Sequence, residues 1–170
     1  MKRLIILGSG GYGQSVADIA TQLGYSCVFL DDAIPDHPLS SFTEYIGDEV
    51  EFIPAFGNNQ FRLEWIDKLS FHGATLATLI HPTAYISPTA SIAEGTVILP
   101  KALINTDVVI ERGCILNCGC IIDHGCVIEE GVHICLGAIV KGENRVESLS
   151  KIAAGEVVQA RTWPVNKPEK

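Results

Sequence analysis

The sequence predicts two architectures in series: an α/β domain with a Rossmann-like βαβ unit over residues 1–80, then a parallel β-helix over 81–160, then a short polar tail over 161–170. Three observations lead there. Isoleucine, leucine or valine recurs at every sixth residue through Ile86, Ile92, Ile98, Ile104, Ile110, Leu116, Ile122, Ile128, Ile134, Val140, Val146, Ile152 and Val158. A small residue stands two places earlier in most of these hexads, as at Ala84, Ala90, Thr96, Ala102, Cys114, Cys120, Cys126 and Ala138. Neither helix nor ordinary strand has a period of six, whereas stacked flat coils, each hexad one face of a prism, do. The third observation is an apolar strand that runs straight into a glycine-rich turn near the start of the chain.

Taken in order, Arg3 to Leu7 is the first strand, and Gly8-Ser9-Gly10-Gly11-Tyr12-Gly13 leads into a helical pattern from Gln14 to Leu23. Cys27 to Leu30 is a second strand ending at Asp31-Asp32, which completes a parallel βαβ unit. Ala33 to Glu51, rich in proline, serine and acid, reads as an irregular connection. Phe52 to Phe56 is the third strand, Gly57-Asn58-Asn59 opens a second helix through Leu69, and Thr75 to Ile80 is the fourth strand. From His81-Pro82 the hexads take over; three make one coil, so the repeat predicts a little over four coils.

With 170 residues, 47% of them apolar, the chain has enough material for a small domain joined to a solenoid. No apolar run approaches the roughly 18 residues that span a bilayer, and no secretory leader is legible, so the expected location is the cytoplasm without a membrane span. A net charge of −8 argues against nucleic acid as a partner. Five of the six cysteines fall between Cys114 and Cys135, but Cys114, Cys120 and Cys126 occupy the small-residue slot of successive hexads. They read as compact core fillers on different faces of the prism, and no metal is expected.

Gly8, Gly10 and Gly13 match G-x-G-x-x-G after a strand and before a helix, where a backbone without β-carbons can approach a phosphate at a helix N-terminus. About 80 residues suit one nucleotide headgroup better than a dinucleotide; a tight turn without ligand is the other reading. In the solenoid, His124 sits two places past Ile122, on the outward rim, as the candidate general base. An 18-residue coil puts Gly142 directly over it, which predicts open space above the imidazole and an approachable amide for an oxyanion. His133 falls half a coil away, so the two histidines meet only across a subunit interface.

The hexads resemble those of the hexapeptide-repeat acyltransferases, which implies a left-handed β-helix and active sites between the subunits of a homotrimer. Together with Gly8 to Gly13, Phe29-Leu30-Asp31-Asp32 and Phe56-Gly57-Asn58-Asn59-Gln60-Phe61-Arg62, the chain resembles the bacterial sugar acetyltransferases of the sialic-acid-biosynthesis (NeuD/PglD-like) family. That resemblance implies that Gly10, Gly11, Tyr12, Asp31, Asp32, Asn58 and Arg62 hold a uridine-diphosphate-linked amino sugar. It implies that His124 is the base, that Asn117 helps build the acceptor site, and that His133 and Gly142 touch acetyl-CoA as co-substrate. Two residues differ from the common pattern: Tyr12 stands where many members carry histidine, and Gly125 where an acid commonly follows the base, leaving Asp123 as the neighbouring carboxylate. The expected activity is N-acetylation of a nucleotide-linked amino sugar for surface glycans, with O-acetylation of a sialic-acid-like sugar or a non-catalytic trimeric scaffold as alternatives.

Overall fold

A computed structural model describes residues 2–159; the expected tail at 161–170 lies outside them. The N-terminal layer is a parallel sheet in the order β2-β1-β3-β4, built from β1 (Arg3–Leu7), β2 (Ser26–Leu30), β3 (Val50–Pro54) and β4 (Thr75–Leu76). Leu4, Ile5, Ile6 and Leu7 are all fully buried, as a central parallel strand covered on both faces requires. Leu4 and Ile6 face α1 (Gly11–Gln22), which presents Gly13, Val16, Ile19 and Ala20; Ile5 and Leu7 pack with Leu63, Trp65, Ile66 and Leu69 of α2 (Asn59–Phe71).

From Leu79 onward the chain is a left-handed parallel β-helix of two-residue strands, grouped in three sheets of 4, 5 and 5 strands. Strands pair with those three hexads away, so that Ile121 and Ile122 register with Ile139 and Val140. The second residue of each strand and the small residue before it point inward and form one continuous core from Ile98 to Val146, extended by Ile80, Ile86, Ile92, Ile152 and Val158. Cys114, Cys120 and Cys126 are fully buried in it. The Cys114 and Cys126 thiols donate to the carbonyls of Glu129 and Lys141, and burial pushes Cys114 and Cys120 up to about 12, so these thiols stay protonated core fillers.

Two sequence-based expectations need correction. Thr75 to Ile80 is not one strand: Thr75–Leu76 closes the N-terminal sheet, while Leu79–Ile80 already pairs with Val97–Ile98 in the solenoid. The supposedly irregular stretch after Ala33 contains a 3-10 segment, Leu39–Tyr45, that buries Leu39 and Phe42 against α2, and β3 begins at Val50 rather than Phe52.

The two parts are keyed together. Leu79, Val97 and Ile115, outward on one solenoid sheet, share a core with Leu4, Ile6 and α1. On the α2 side, a β-carbon added at Gly113 would lie 2.5 Å from Ile66 and one at Gly131 2.8 Å from Leu63, and both glycines have positive φ. Glycine is therefore demanded there twice, by the corner conformation and by the helix seated on it. Arg62, only 1% exposed, crosses this junction. It donates to the carbonyls of Gly113 (2.8 Å), Gly131 (2.7 Å) and Phe56 (2.9 Å) and to the Asn59 side chain (3.0 Å).

Arg62→Met keeps most of the apolar stem but strands these buried carbonyls, each worth about 1–3 kcal/mol when unsatisfied. Urea unfolding should show a loss of about 3 kcal/mol or more; a loss within error would mean that the junction does not depend on the guanidinium.

Candidate active site

Gly8, Asp31 and Gly57-Asn58 follow β1, β2 and β3, three adjacent parallel strands, so the segments they open lie along one sheet edge, the place where open α/β sheets bind ligands. The glycines of this edge divide by task. Gly8 takes φ +106 against Phe56, and a β-carbon on Gly13 would fall 2.1 Å from the Gly8 carbonyl, so both are required by the turn itself. Gly10 and Gly11 are exposed, with nothing within 4 Å of an added β-carbon. No packing demand explains them, and they leave the N-terminus of α1 open to a ligand.

The acids beside this opening are already engaged. Asp31 accepts from the Ser9 amide (2.7 Å) and hydroxyl (2.8 Å) and from the Ala33 amide (3.0 Å), bonds that hold its carboxyl below the ordinary range and clamp the glycine turn to the end of β2. Asp32 accepts from the Leu39 amide, and Asn58 caps α2 by accepting from the Phe61 amide.

Two residues expected at the nucleotide edge turn inward instead. Arg62 is the junction strut described above. The Tyr12 hydroxyl is buried without a hydrogen-bond partner, and burial raises it far above its ordinary value. Its ring packs into the α1 core that contains Ile115 and Cys118. On the same junction, Asn117 and His133 form a pair. The Asn117 oxygen accepts from the Cys118 amide, so its nitrogen faces His133 Nε2 at 3.3 Å. His133 Nε2 is then the acceptor and Nδ1 carries the proton, buried and unpartnered. Burial, with the charges of Arg62 and Lys151, pushes His133 down to about 4.

The second locus is on the solenoid rim. His124 is 59% exposed, and its Nδ1 lies 3.0 Å from Asp123 Oδ1. A carboxylate only accepts, so Nδ1 holds the proton and Nε2 carries the lone pair. Gly142 does stand over His124, but not beneath open space: an added β-carbon would lie 2.6 Å from Cε1 and 2.9 Å from Nε2. The imidazole itself occupies the room that glycine leaves.

The amide of Gly142 differs from its counterparts. One and two coils below, the amides of His124 and Thr106 are taken by the side chains of Asp123 and Asn105, each at 2.8 Å. At the equivalent place stands Lys141, which has no acceptor, so Gly142 N–H is not satisfied in this way. Sequence reasoning missed Asn105, whose side chain donates to Asp123 Oδ1 at 3.0 Å; its distance of one coil from Asp123 was the available signal. Among the described residues no three His, Cys, Asp or Glu side chains gather as a metal site, and no helix is long and apolar enough to cross a membrane.

The buried neutral His133 makes stability pH-dependent. Its folded value lies below the ordinary 6.5, so the unfolded chain takes up the proton first and stability falls as pH drops from 6.5 toward about 4. Scanning calorimetry should find a smaller loss over that window in His133→Gln; an equal loss would show that His133 is not protected from protonation.

A profile of the PglD N-terminal domain matches residues 3–69. The structure is similar to the acetyltransferase domain of PglB from Neisseria gonorrhoeae, with 32% identity, a TM-score of 0.87 and coverage of 95% of this chain and 84% of that one. That domain has also been seen in complex with acetyl coenzyme A. PerB from Caulobacter crescentus, in complex with CoA and GDP-perosamine, shares the fold at 22% identity and TM-score 0.71, over 94% of this chain and 89% of its own. WeeI from Acinetobacter baumannii shares it at 18% and 0.69, over 92% and 88%. With 32% identity over 95% of this chain and 84% of the PglB domain, and residues 3–69 matched independently by a profile of their own, this chain belongs to the PglD/NeuD-like sugar acetyltransferases of the hexapeptide-repeat class.

Proposed function

We propose that the chain is an acetyl-CoA-dependent N-acetyltransferase acting on the amino group of a nucleotide-linked, UDP-type amino sugar in bacterial surface glycan synthesis, working in the cytoplasm as a homotrimer. The observation that carries this reading is the His124 imidazole: exposed, seated on Gly142, with its Nδ1 proton directed to Asp123 and its Nε2 lone pair outward. It is a preset general base. Gly10, Gly11 and the α1 N-terminus supply backbone donors for a diphosphate, with Asp31, Asp32 and Asn58 shaping the same edge. Asn117 and His133 present a neutral polar pair on the junction between the two parts, suited to the acceptor and to acetyl-CoA.

In the transfer, the sugar amine attacks the thioester carbonyl as His124 Nε2 takes its proton. Carbon–nitrogen bond formation gives a tetrahedral oxyanion, for which the Gly142 amide is the proposed donor. Collapse breaks the carbon–sulfur bond, and the imidazolium returns its proton to the departing coenzyme A thiolate. A neutral imidazole is restored without a covalent enzyme intermediate.

Assembly is supported by the sheet that precedes His124. The outward residues of its five strands are Tyr85, Leu103, Ile121, Ile139 and Val157, an unbroken apolar ladder. Tyr85 is 55% exposed, Val157 37% and Ile121 36% in the single chain. A second copy would bury this ladder and bring another subunit to the His124 rim.

Thiol release from acetyl-CoA, measured against UDP- and GDP-linked amino sugars and their hydroxyl counterparts, tests the activity. Turnover with an amine acceptor is expected; turnover only with hydroxyl acceptors would make it an O-acetyltransferase, and none at all would favour a scaffold. His124→Ala should lower kcat by about 10² to 10⁴ with both KM values little changed. Light scattering should return three times the 18.3 kDa chain mass, and Ile121→Lys should return a monomer; a monomeric wild type would remove the shared site.

A further inference from the structure

We infer that Asn105 and Asp123 are positioning residues for His124, and that with Gly142 they form a single column, one contribution per coil, that sets the tautomer and tilt of the imidazole. The inference rests on His124 as the proposed base and extends it to groups that do not touch substrate. Asn105, Asp123 and Lys141 are separated by one coil each, because Leu103 registers with Ile121 and Ile121 with Ile139. Oδ1 of Asp123 receives three donors: the His124 amide at 2.8 Å, His124 Nδ1 at 3.0 Å and Asn105 Nδ2 at 3.0 Å. One oxygen thus ties the coil below to both the backbone and the ring of His124.

Each partner is itself held. Asn105 Oδ1 accepts from the Thr106 amide at 2.8 Å, which fixes the amide orientation so that Nδ2 faces Asp123. The His124 amide first, then the His124 ring and the Asn105 side-chain amide, keep the Asp123 carboxyl below its ordinary value, so it remains an acceptor at neutral pH. Gly142 closes the column from above, since any β-carbon there would meet the ring. The other ionisable neighbours are Lys141, next in the Asp123 column, Glu143, whose side chain lies 3.5 Å from where a Gly125 β-carbon would be, and the buried thiol of Cys126. Asp123 is bonded to the ring. With Gly125 in the following position, the carboxylate acts from the residue before the histidine, and Asn105 keeps it aimed.

The test reads the tautomer directly. Proton–nitrogen correlation spectra of the imidazoles are recorded at mildly alkaline pH, with His124 identified by the signals lost in His124→Ala. The wild type should show the Nδ1–H form. Asp123→Ala should shift His124 mainly to Nε2–H and lower kcat by about 10-fold to 100-fold, with KM values held. Asp123→Asn should keep the Nδ1–H form, because the amide oxygen stays turned to the same three donors, and should recover part of the rate. Asn105→Ala should give a mixed tautomer and a smaller kcat loss. An unchanged tautomer or an unchanged kcat in Asp123→Ala overturns the proposal. The spectra need no acceptor sugar, so a shifted tautomer in a protein that acetylates nothing supports the column and removes the enzymatic reading instead.

Discussion

Each interior strand of the solenoid pairs with the strands eighteen residues before and after it, because strands only two residues long have almost no bonding of their own and depend on the coils above and below. This vertical register is the constraint on which the rest depends. It stacks the apolar side chains into one core, aligns Gly113 with Gly131 under α2, and brings Asn105, Asp123, His124 and Gly142 to one place on the rim. A site composed this way draws one group from each of several coils, so no short stretch of chain contains it.

The N-terminal domain is held to the prism by a different kind of contact. Apolar docking of Leu63 and Ile66 onto glycine corners is shape-selective, and the Arg62 guanidinium adds direction by bonding the carbonyls of two successive coils. Burial of such a cation is tolerated because its donors find carbonyl oxygens in place of water. The glycine-turn edge of the sheet and the solenoid rim then keep a set relation, as the proposed transfer requires.

The architecture was legible in the sequence because its core is local in pattern: every hexad must send one aliphatic side chain inward, and a single chain displays the period thirteen times from Ile86 to Val158. The stacking of Gly142 on His124 followed from the same arithmetic, whereas the open space expected above the ring is filled by the imidazole itself. Less visible was the direction in which motif residues point. Tyr12 and Arg62 sit in segments that read as nucleotide contacts, yet their polar ends turn toward the solenoid, and nothing in a glycine-rich motif encodes that. Asp31 and Asn58 double as clamps for the very loops they belong to. Thr75 to Ile80 read as one strand because apolar continuity does not reveal where a chain changes its sheet.

The corners of the prism have a consequence for how such a chain can change in length. A glycine or another residue at positive φ recurs at positions 95, 101, 107, 113, 119, 125, 131, 137, 143, 149 and 155, so each hexad is a self-contained unit with its own bend. Adding or deleting one hexad between Gly131 and Gly142 would leave every core position filled, every bend allowed and the Arg62 bonds to Gly113 and Gly131 in place. It would nonetheless rotate everything downstream by a third of a turn about the prism axis, carrying Gly142 to another face and leaving His124 against an unrelated residue. The fold therefore accepts length changes in sixes, while the stack of Gly142 on His124 accepts none between those two residues, so a chain of this class can lose that rim geometry through an insertion that its core tolerates.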